Sequence, residues 1–167
     1  MAGRIYNILF LCTGNSARSV MAECAMNRWG RGRFAAYSAG SHPRGEIHPM
    51  TLELLRALQY DTAGLRSKSW DEFALPGSPR FDFVFTVCDQ ARGEVCPLWP
   101  GQPITAHWDA ADPAAFSGSA EEQRRFFLRI YNELESRAKI VSNLPLDSVD
   151  RSALEPRLKE IGQPKPA

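Results

Sequence analysis

The chain has 167 residues, the size of one hydrophobic core, and its 44% apolar, 23% charged and 10% aromatic content excludes a disordered, collagen-like or coiled-coil protein. Lys and Arg total 20 against 19 Asp and Glu, so a formal charge of +1 offers no global field for nucleic acid or an anionic membrane, and any anion must be held locally. No apolar run approaches the roughly 18 residues of a membrane-spanning helix, and four cysteines are too few for a disulfide scaffold, which together point to a soluble protein of a reducing, cytoplasmic compartment.

Residues 5–11 (IYNILFL) are nearly all apolar and read as a central strand buried on both faces of a parallel sheet. Arg4 ahead of this run and Cys12 after it faintly resemble an exported lipoprotein leader, but the stretch is too short and Leu11 too bulky for that reading. At Cys12 the pattern changes. Residues 12–18 (CTGNSAR) are small and polar, and from Ser19 the apolar positions Val20, Met21, Cys24 and Ala25 recur at helical spacing toward Trp29. A second strand is expected over residues 34–38, then a turn-rich stretch, then a helix with Pro49 near its start, and a short helix over 69–73.

Residues 81–87 (FDFVFTV) form the clearest second core strand, and it too runs into a cysteine, Cys88. A short strand over 104–107, a Pro-, Gly- and Asp-rich loop over 109–118 and an amphipathic helix over 121–141 follow. Residues 1–143 are taken as one domain and 144–167 as a tail that docks or frays. Alternating strands and helices predict an α/β fold with a parallel sheet, whose ligands bind at the carboxyl ends of the strands. Cys12 and Cys88 both lie at such ends, so they are candidates to share one crevice.

A Gly-bearing loop between a strand and a helix turns backbone N–H groups inward, and the helix start adds partial positive charge. The field that holds an oxyanion there also favours the thiolate of Cys12, making it a nucleophile near neutral pH. Arg18 closes the loop with a planar fork suited to two oxygens of a tetrahedral anion, and Ser19 can donate its hydroxyl to the thiolate. Thr13, Gly14, Asn15, Ser16 and Ala17 supply the remaining oxyanion contacts.

The run 10–19 (FLCTGNSARS), with Met21-Ala22-Glu23 and Tyr37-Ser38-Ala39-Gly40, resembles the low-molecular-weight protein tyrosine phosphatase family, and more closely the arsenate reductases built on that fold. The resemblance spans roughly residues 5–141. It implies a four-stranded parallel sheet flanked by helices on both faces, Cys12 as nucleophile, Arg18 and the loop amides as oxyanion ligands, and Ser19 as thiolate partner. No tightly bound cofactor is implied.

Both chemistries begin with attack of Cys12 on a tetrahedral oxyanion, so the other cysteines separate them. A second thiolate striking the Cys12 sulfur drives two electrons onto arsenic, whereas phosphorus has no comparably accessible reduction. In the three-thiol relatives, the residue matching Cys88 pairs with the nucleophile and the one matching Cys96 then attacks it, leaving a disulfide for an external thiol reductant, thioredoxin or a glutathione/glutaredoxin-like partner. The chain from Cys88 to Cys96 spans roughly 26–29 Å when extended, and a disulfide needs Cα atoms about 5.5–6 Å apart, so that segment must fold back. Arsenate is the implied substrate, with phosphate or sulfate as competing oxyanions.

Asp112-Pro113 resembles the general-acid loop of the family, with Asp109 as fallback. Asn15, Glu23, Ser38 and Asp71 match positions that hold potassium in some relatives. A zinc or arsenite site from Cys88, Cys96 and His107 lacks a Cys-x2-Cys pair. His42 and His48, each followed by proline, read as turn residues, and Cys24 as an inert filler on the first helix. A phosphatase acting on aryl phosphates and a non-enzymatic oxyanion-binding module remain alternatives.

Overall fold

A computed structural model describes residues 4–87 and 102–162. Four strands, β1 (Tyr6–Cys12), β2 (Phe34–Gly40), β3 (Phe83–Thr86) and β4 (Ile104–His107), form one sheet in the order β2-β1-β3-β4. Every pairing is parallel, with Cys12 opposite Gly40 and Leu11 opposite Thr86. The sheet thus has the predicted architecture, and β1 is central because its residues are apolar on both faces. Ile8 and Phe10 point into one layer, Leu9 and Leu11 into the other, and all four are fully buried.

The larger layer contains α1 (Arg18–Trp29), α2 (Pro49–Ala57), α3 (Ala120–Ser142) and α4 (Arg151–Ile161). Helix α3 is N-capped by Ser119, whose Oγ accepts from the Glu122 N–H at 3.1 Å and donates to the Glu122 carboxylate at 3.0 Å. Its Phe127, Ile130, Tyr131, Leu134, Ala138 and Val141 form one buried stripe, and burying each large side chain is worth about 1.5–3 kcal/mol. The opposite sheet face, with Leu9, Leu11, Ala39, Phe81 and Val84, is covered among the described residues by the 3-10 helix Trp70–Phe73 and Tyr37.

Residues 144–162 dock on the domain. Leu144, Leu146, Leu154 and Leu158 are buried in the main core. Asp150 caps α4 by accepting from the Ala153 N–H at 3.0 Å, and the helix lies against β4, an edge strand of the sheet. Cys88 and Cys96 lie outside the described residues. No described helix is long and apolar enough to cross a membrane.

Candidate active site

The site begins where β1 ends. Cys12 is only 4% exposed, and the loop after it is tied down through its carbonyls. Cys12 C=O accepts from Ser41 N–H at 3.3 Å, Thr13 C=O from His42 N–H at 2.9 Å, and Ser16 C=O from His48 N–H at 3.0 Å and Thr51 Oγ1 at 3.1 Å. Gly14 C=O accepts from Arg44 N–H and Ser67 Oγ, both at 3.0 Å. In a planar trans peptide the N–H of the next residue points opposite to each carbonyl, so bonds that draw the carbonyls outward turn the following N–H groups inward, as in an anion nest. The start of α1 adds to this field. Ala17 provides no side-chain cap and the first turn holds no acidic residue, so the positive end of the helix dipole is left for a ligand.

Asn15 fixes the curvature of the loop. Its backbone is left-handed (φ 45°), its side chain is fully buried, and it bridges two elements: Nδ2 donates to Ser19 Oγ at 2.8 Å and Oδ1 accepts from Lys68 N–H at 2.9 Å. Ser19, also fully buried, thereby receives a bond and retains its own proton to donate.

A cavity of about 120 Å³ is lined by loop residues 12–14 and 16–18 together with His42, Arg44 and Asp112. This is well under the roughly 300–1,000 Å³ of pockets that enclose drug-sized ligands, and it suits a small anion. Arg18 is aimed by two contacts: Nη1 donates to Ala110 C=O at 3.1 Å and Nη2 lies 3.6 Å from Asp112 Oδ2. The other oxygen of Asp112 accepts from Ala114 N–H at 3.0 Å, capping the 3-10 turn Pro113–Ala115. Asp109 is not part of the cavity lining, and its carboxylate stands 4.0 Å from His107 Nε2 instead.

Asn15, Glu23 and Ser38, three of the four residues expected around potassium, gather beside Lys68. Ser38 Oγ donates to Glu23 Oε1 at 2.7 Å, and Lys68 Nζ lies 3.9 Å from the same oxygen. Burial pushes the Glu23 carboxyl up and the Lys68 amine down, while the pair they form opposes both shifts. The Lys68 amine thus sits beside this carboxyl as a tethered counter-group. Asp71 lies in the Trp70–Phe73 turn, where its N–H donates to Ser69 Oγ at 3.1 Å. Among the described residues no group of three or more His, Cys, Asp or Glu is arranged to hold a metal. His107 Nδ1 shares a 2.8 Å hydrogen bond with Thr86 Oγ1, and the two cysteines that would complete a thiol site with it lie outside the described residues.

Cys24 is buried in α1, where burial pushes its thiol up to about 12. His48 caps α2, its Nδ1 accepting from Met50 N–H at 3.1 Å. His42 does more than turn the chain, since it also lines the cavity. Three contributors escape sequence reasoning, the cavity residue Arg44, the ammonium of Lys68 and Gly162 behind Trp108, and so does the place of Gly40 beneath the loop. Gly40 alone carries a signal, as a glycine ending a strand beside the loop.

Residues 7–152 match the family model described as low molecular weight phosphotyrosine protein phosphatase. An arsenate reductase of Halalkalibacterium halodurans is 34% identical over 132 residues, covering 79% of this chain and 91% of that one. The solved arsenate reductase of Archaeoglobus fulgidus superposes with a TM-score of 0.64 at 27% identity, covering 82% of this chain and 99% of that one. A thioredoxin-dependent arsenate reductase of Corynebacterium glutamicum gives 0.60 at 25% identity, covering 84% and 60% respectively.

Proposed function

The chain belongs to the low molecular weight phosphotyrosine protein phosphatase family, and within it we propose that the protein is an arsenate reductase acting in the reducing cytoplasm. The observation that carries this reading is a small cavity setting Cys12, Arg18 and Asp112 around one anion-sized space, in a chain so similar to arsenate reductases.

Arsenate enters the cradle of loop amides over residues 13–17, with the Arg18 fork on two of its oxygens. Ser19, which accepts from Asn15, donates its proton toward the Cys12 sulfur and stabilises the thiolate. The thiolate attacks arsenic, and Asp112 gives a proton to the departing oxygen, which leaves as water. This general-acid step is typically worth about 10²–10⁴-fold. The product is a Cys12–S–As(V) adduct.

Cys88 then attacks the Cys12 sulfur. A Cys12–Cys88 disulfide forms, the S–As bonding pair stays on arsenic, and arsenite departs. Cys96 next attacks Cys88, releasing the Cys12 thiolate and leaving a Cys88–Cys96 disulfide. Per turnover one arsenate and two thiols give arsenite, one disulfide and water. A dithiol protein of the thioredoxin type, or a glutathione/glutaredoxin-like system, restores the thiols. The likeness to the thioredoxin-dependent arsenate reductase of Corynebacterium glutamicum favours thioredoxin. Phosphate, of the same shape and charge, competes for the cradle.

The test is arsenite formation by the wild type, Cys88→Ser and Cys96→Ser with a thiol regeneration system. The wild type turns over repeatedly, and each variant stops after a partial first cycle. Undiminished multiple turnover in both variants removes the cascade. Efficient hydrolysis of a small aryl phosphate with no arsenite formed moves the chain to the phosphatases of its family.

A further inference from the structure

The loop that carries Asp112 is held by its backbone. Arg18 Nη1 donates to Ala110 C=O, the buried Arg137 of α3 donates to Asp109 C=O, and Gly162, just past the end of α4, accepts from Asp109 N–H at 3.0 Å. Helix α4 grips both ends of β4. At the entry, Arg151 Nη1 donates to Gln102 C=O at 2.6 Å and Nη2 to Pro103 C=O at 3.3 Å. At the exit Gly162 lies so close that a Cβ on it would stand 2.0 Å from His107 C=O and 2.9 Å from the Trp108 indole. The φ of Gly162 is −76°, which any residue adopts, so glycine is required here for clearance alone.

Between these anchors Leu154 and Leu158 are buried in the main core, so the helix is fixed relative to the sheet. The family match ends at residue 152, leaving nearly all of α4 and Gly162 outside it. The Arg151 anchor thus lies inside the family match and the Gly162 anchor outside it.

We infer that α4 with Gly162 is a positioning clamp on the loop 109–112, setting Asp112 against the cavity that holds Cys12 and Arg18 so that its proton reaches the leaving oxygen. This rests on the reading of Asp112 as general acid. Gly162 touches no substrate. It acts through the Asp109 N–H and the chain leading to Asp112, three residues on. A methyl group at residue 162 must push the end of β4 away by more than 1 Å to reach an ordinary contact, and misplacement of about 1 Å can already cost about 10²-fold in rate.

The test uses the fully reduced full-length chain in single turnover, reading arsenite formed, so that no external reductant enters. Phosphate protection of Cys12 against alkylation reports the cradle independently of turnover. Gly162→Ala is expected to slow arsenite formation about 10- to 100-fold while phosphate protection stays at the wild-type level. In an Asp112→Asn background the same substitution is expected to slow it no further, because the acid it positions is already gone.

Wild-type speed in Gly162→Ala, with Asp112→Asn slow, overturns the clamp and leaves the acid assignment standing. A double variant slowed by the full product of the single effects also overturns it. Wild-type speed in Asp112→Asn removes the acid reading and the clamp together. Should Gly162→Ala lose phosphate protection, Arg151→Ala carries the same cycle from the other anchor. A few-fold slowing with protection intact and no further loss in Asp112→Asn supports the clamp, and wild-type speed overturns it.

Discussion

Gly40 lies directly beneath Thr13: a Cβ at Gly40 would stand 2.4 Å from the Thr13 carbonyl oxygen and 3.0 Å from Asn15 N. Real contacts of that kind do not occur, and the atoms in the way are backbone, so they cannot swing aside. Gly40→Ala must therefore displace the oxyanion loop itself. The expected cost in stability is about 1–3 kcal/mol, the usual range for overpacking. The expected cost in phosphate affinity is larger, at least tenfold, because several inward N–H groups move together. Phosphate protection of Cys12, measured beside the melting temperature, checks both. Wild-type affinity would show that the loop tolerates the shift.

How much of this was legible beforehand follows from the range of the contacts involved. The loop was readable because the apolar pattern switches at Cys12 from a buried strand to helical spacing, with Gly14 and small polar residues between. Asp112 was readable as a turn, and the structure adds that its second oxygen faces Arg18. Gly40 under Thr13, Lys68 beside Glu23 and Gly162 against His107 depend on segments distant in sequence meeting in space, which no local periodicity records. Pro156 argues against a helix in the last segment. The burial of Leu154 and Leu158 on one face and the Asp150 cap outweigh it.

His48 predicts a pH dependence of stability with a definite sign. Its Nδ1 accepts from Met50 N–H, which only the unprotonated nitrogen can do, and burial, with Arg44 nearby, lowers its pKa below the ordinary 6.5. The folded pKa lies below the unfolded one, so the stabilisation is complete above pH 6.5 and is lost as pH falls from 6.5 through the folded value. A helix cap is worth about 1 kcal/mol, or roughly 2–4 °C in a chain of this size. Melting scans between pH 7.5 and 5 should show the wild type losing that much more than His48→Asn, whose amide oxygen caps without titrating. Equal slopes would sink the assignment.

Cys24 and Cys12 should separate by reactivity. With its thiol pushed up to about 12, Cys24 is thiolate in roughly one molecule in ten thousand at pH 8 and is largely buried. Iodoacetamide on the native reduced protein is expected to leave Cys24 unmodified and to label Cys12 in a phosphate-sensitive manner. Unfolding in denaturant should make Cys24 react at the rate of a free cysteine. Peptide mapping reads both, and native labelling of Cys24 would contradict its burial.

Lys68 bears on cation dependence. Its ammonium lies 3.9 Å from Glu23 Oε1, and its backbone N–H holds Asn15, which in turn holds Ser19 beside the nucleophile. A charge already neutralised by a tethered cation gains nothing from a dissolved one. Exchanging sodium for potassium at constant ionic strength should leave wild-type turnover unchanged. Lys68→Ala strands the buried Glu23 carboxylate with Ser38 as its hydrogen-bond donor, at a cost of about 1–3 kcal/mol, below the 3–5 kcal/mol of a fully buried pair because that bond survives. Turnover and melting temperature of this variant should both recover as potassium is added, since an ion can then occupy the vacated space. Stimulation of the wild type by potassium, or a variant indifferent to it, would show that the ammonium is not acting as the cation of this site.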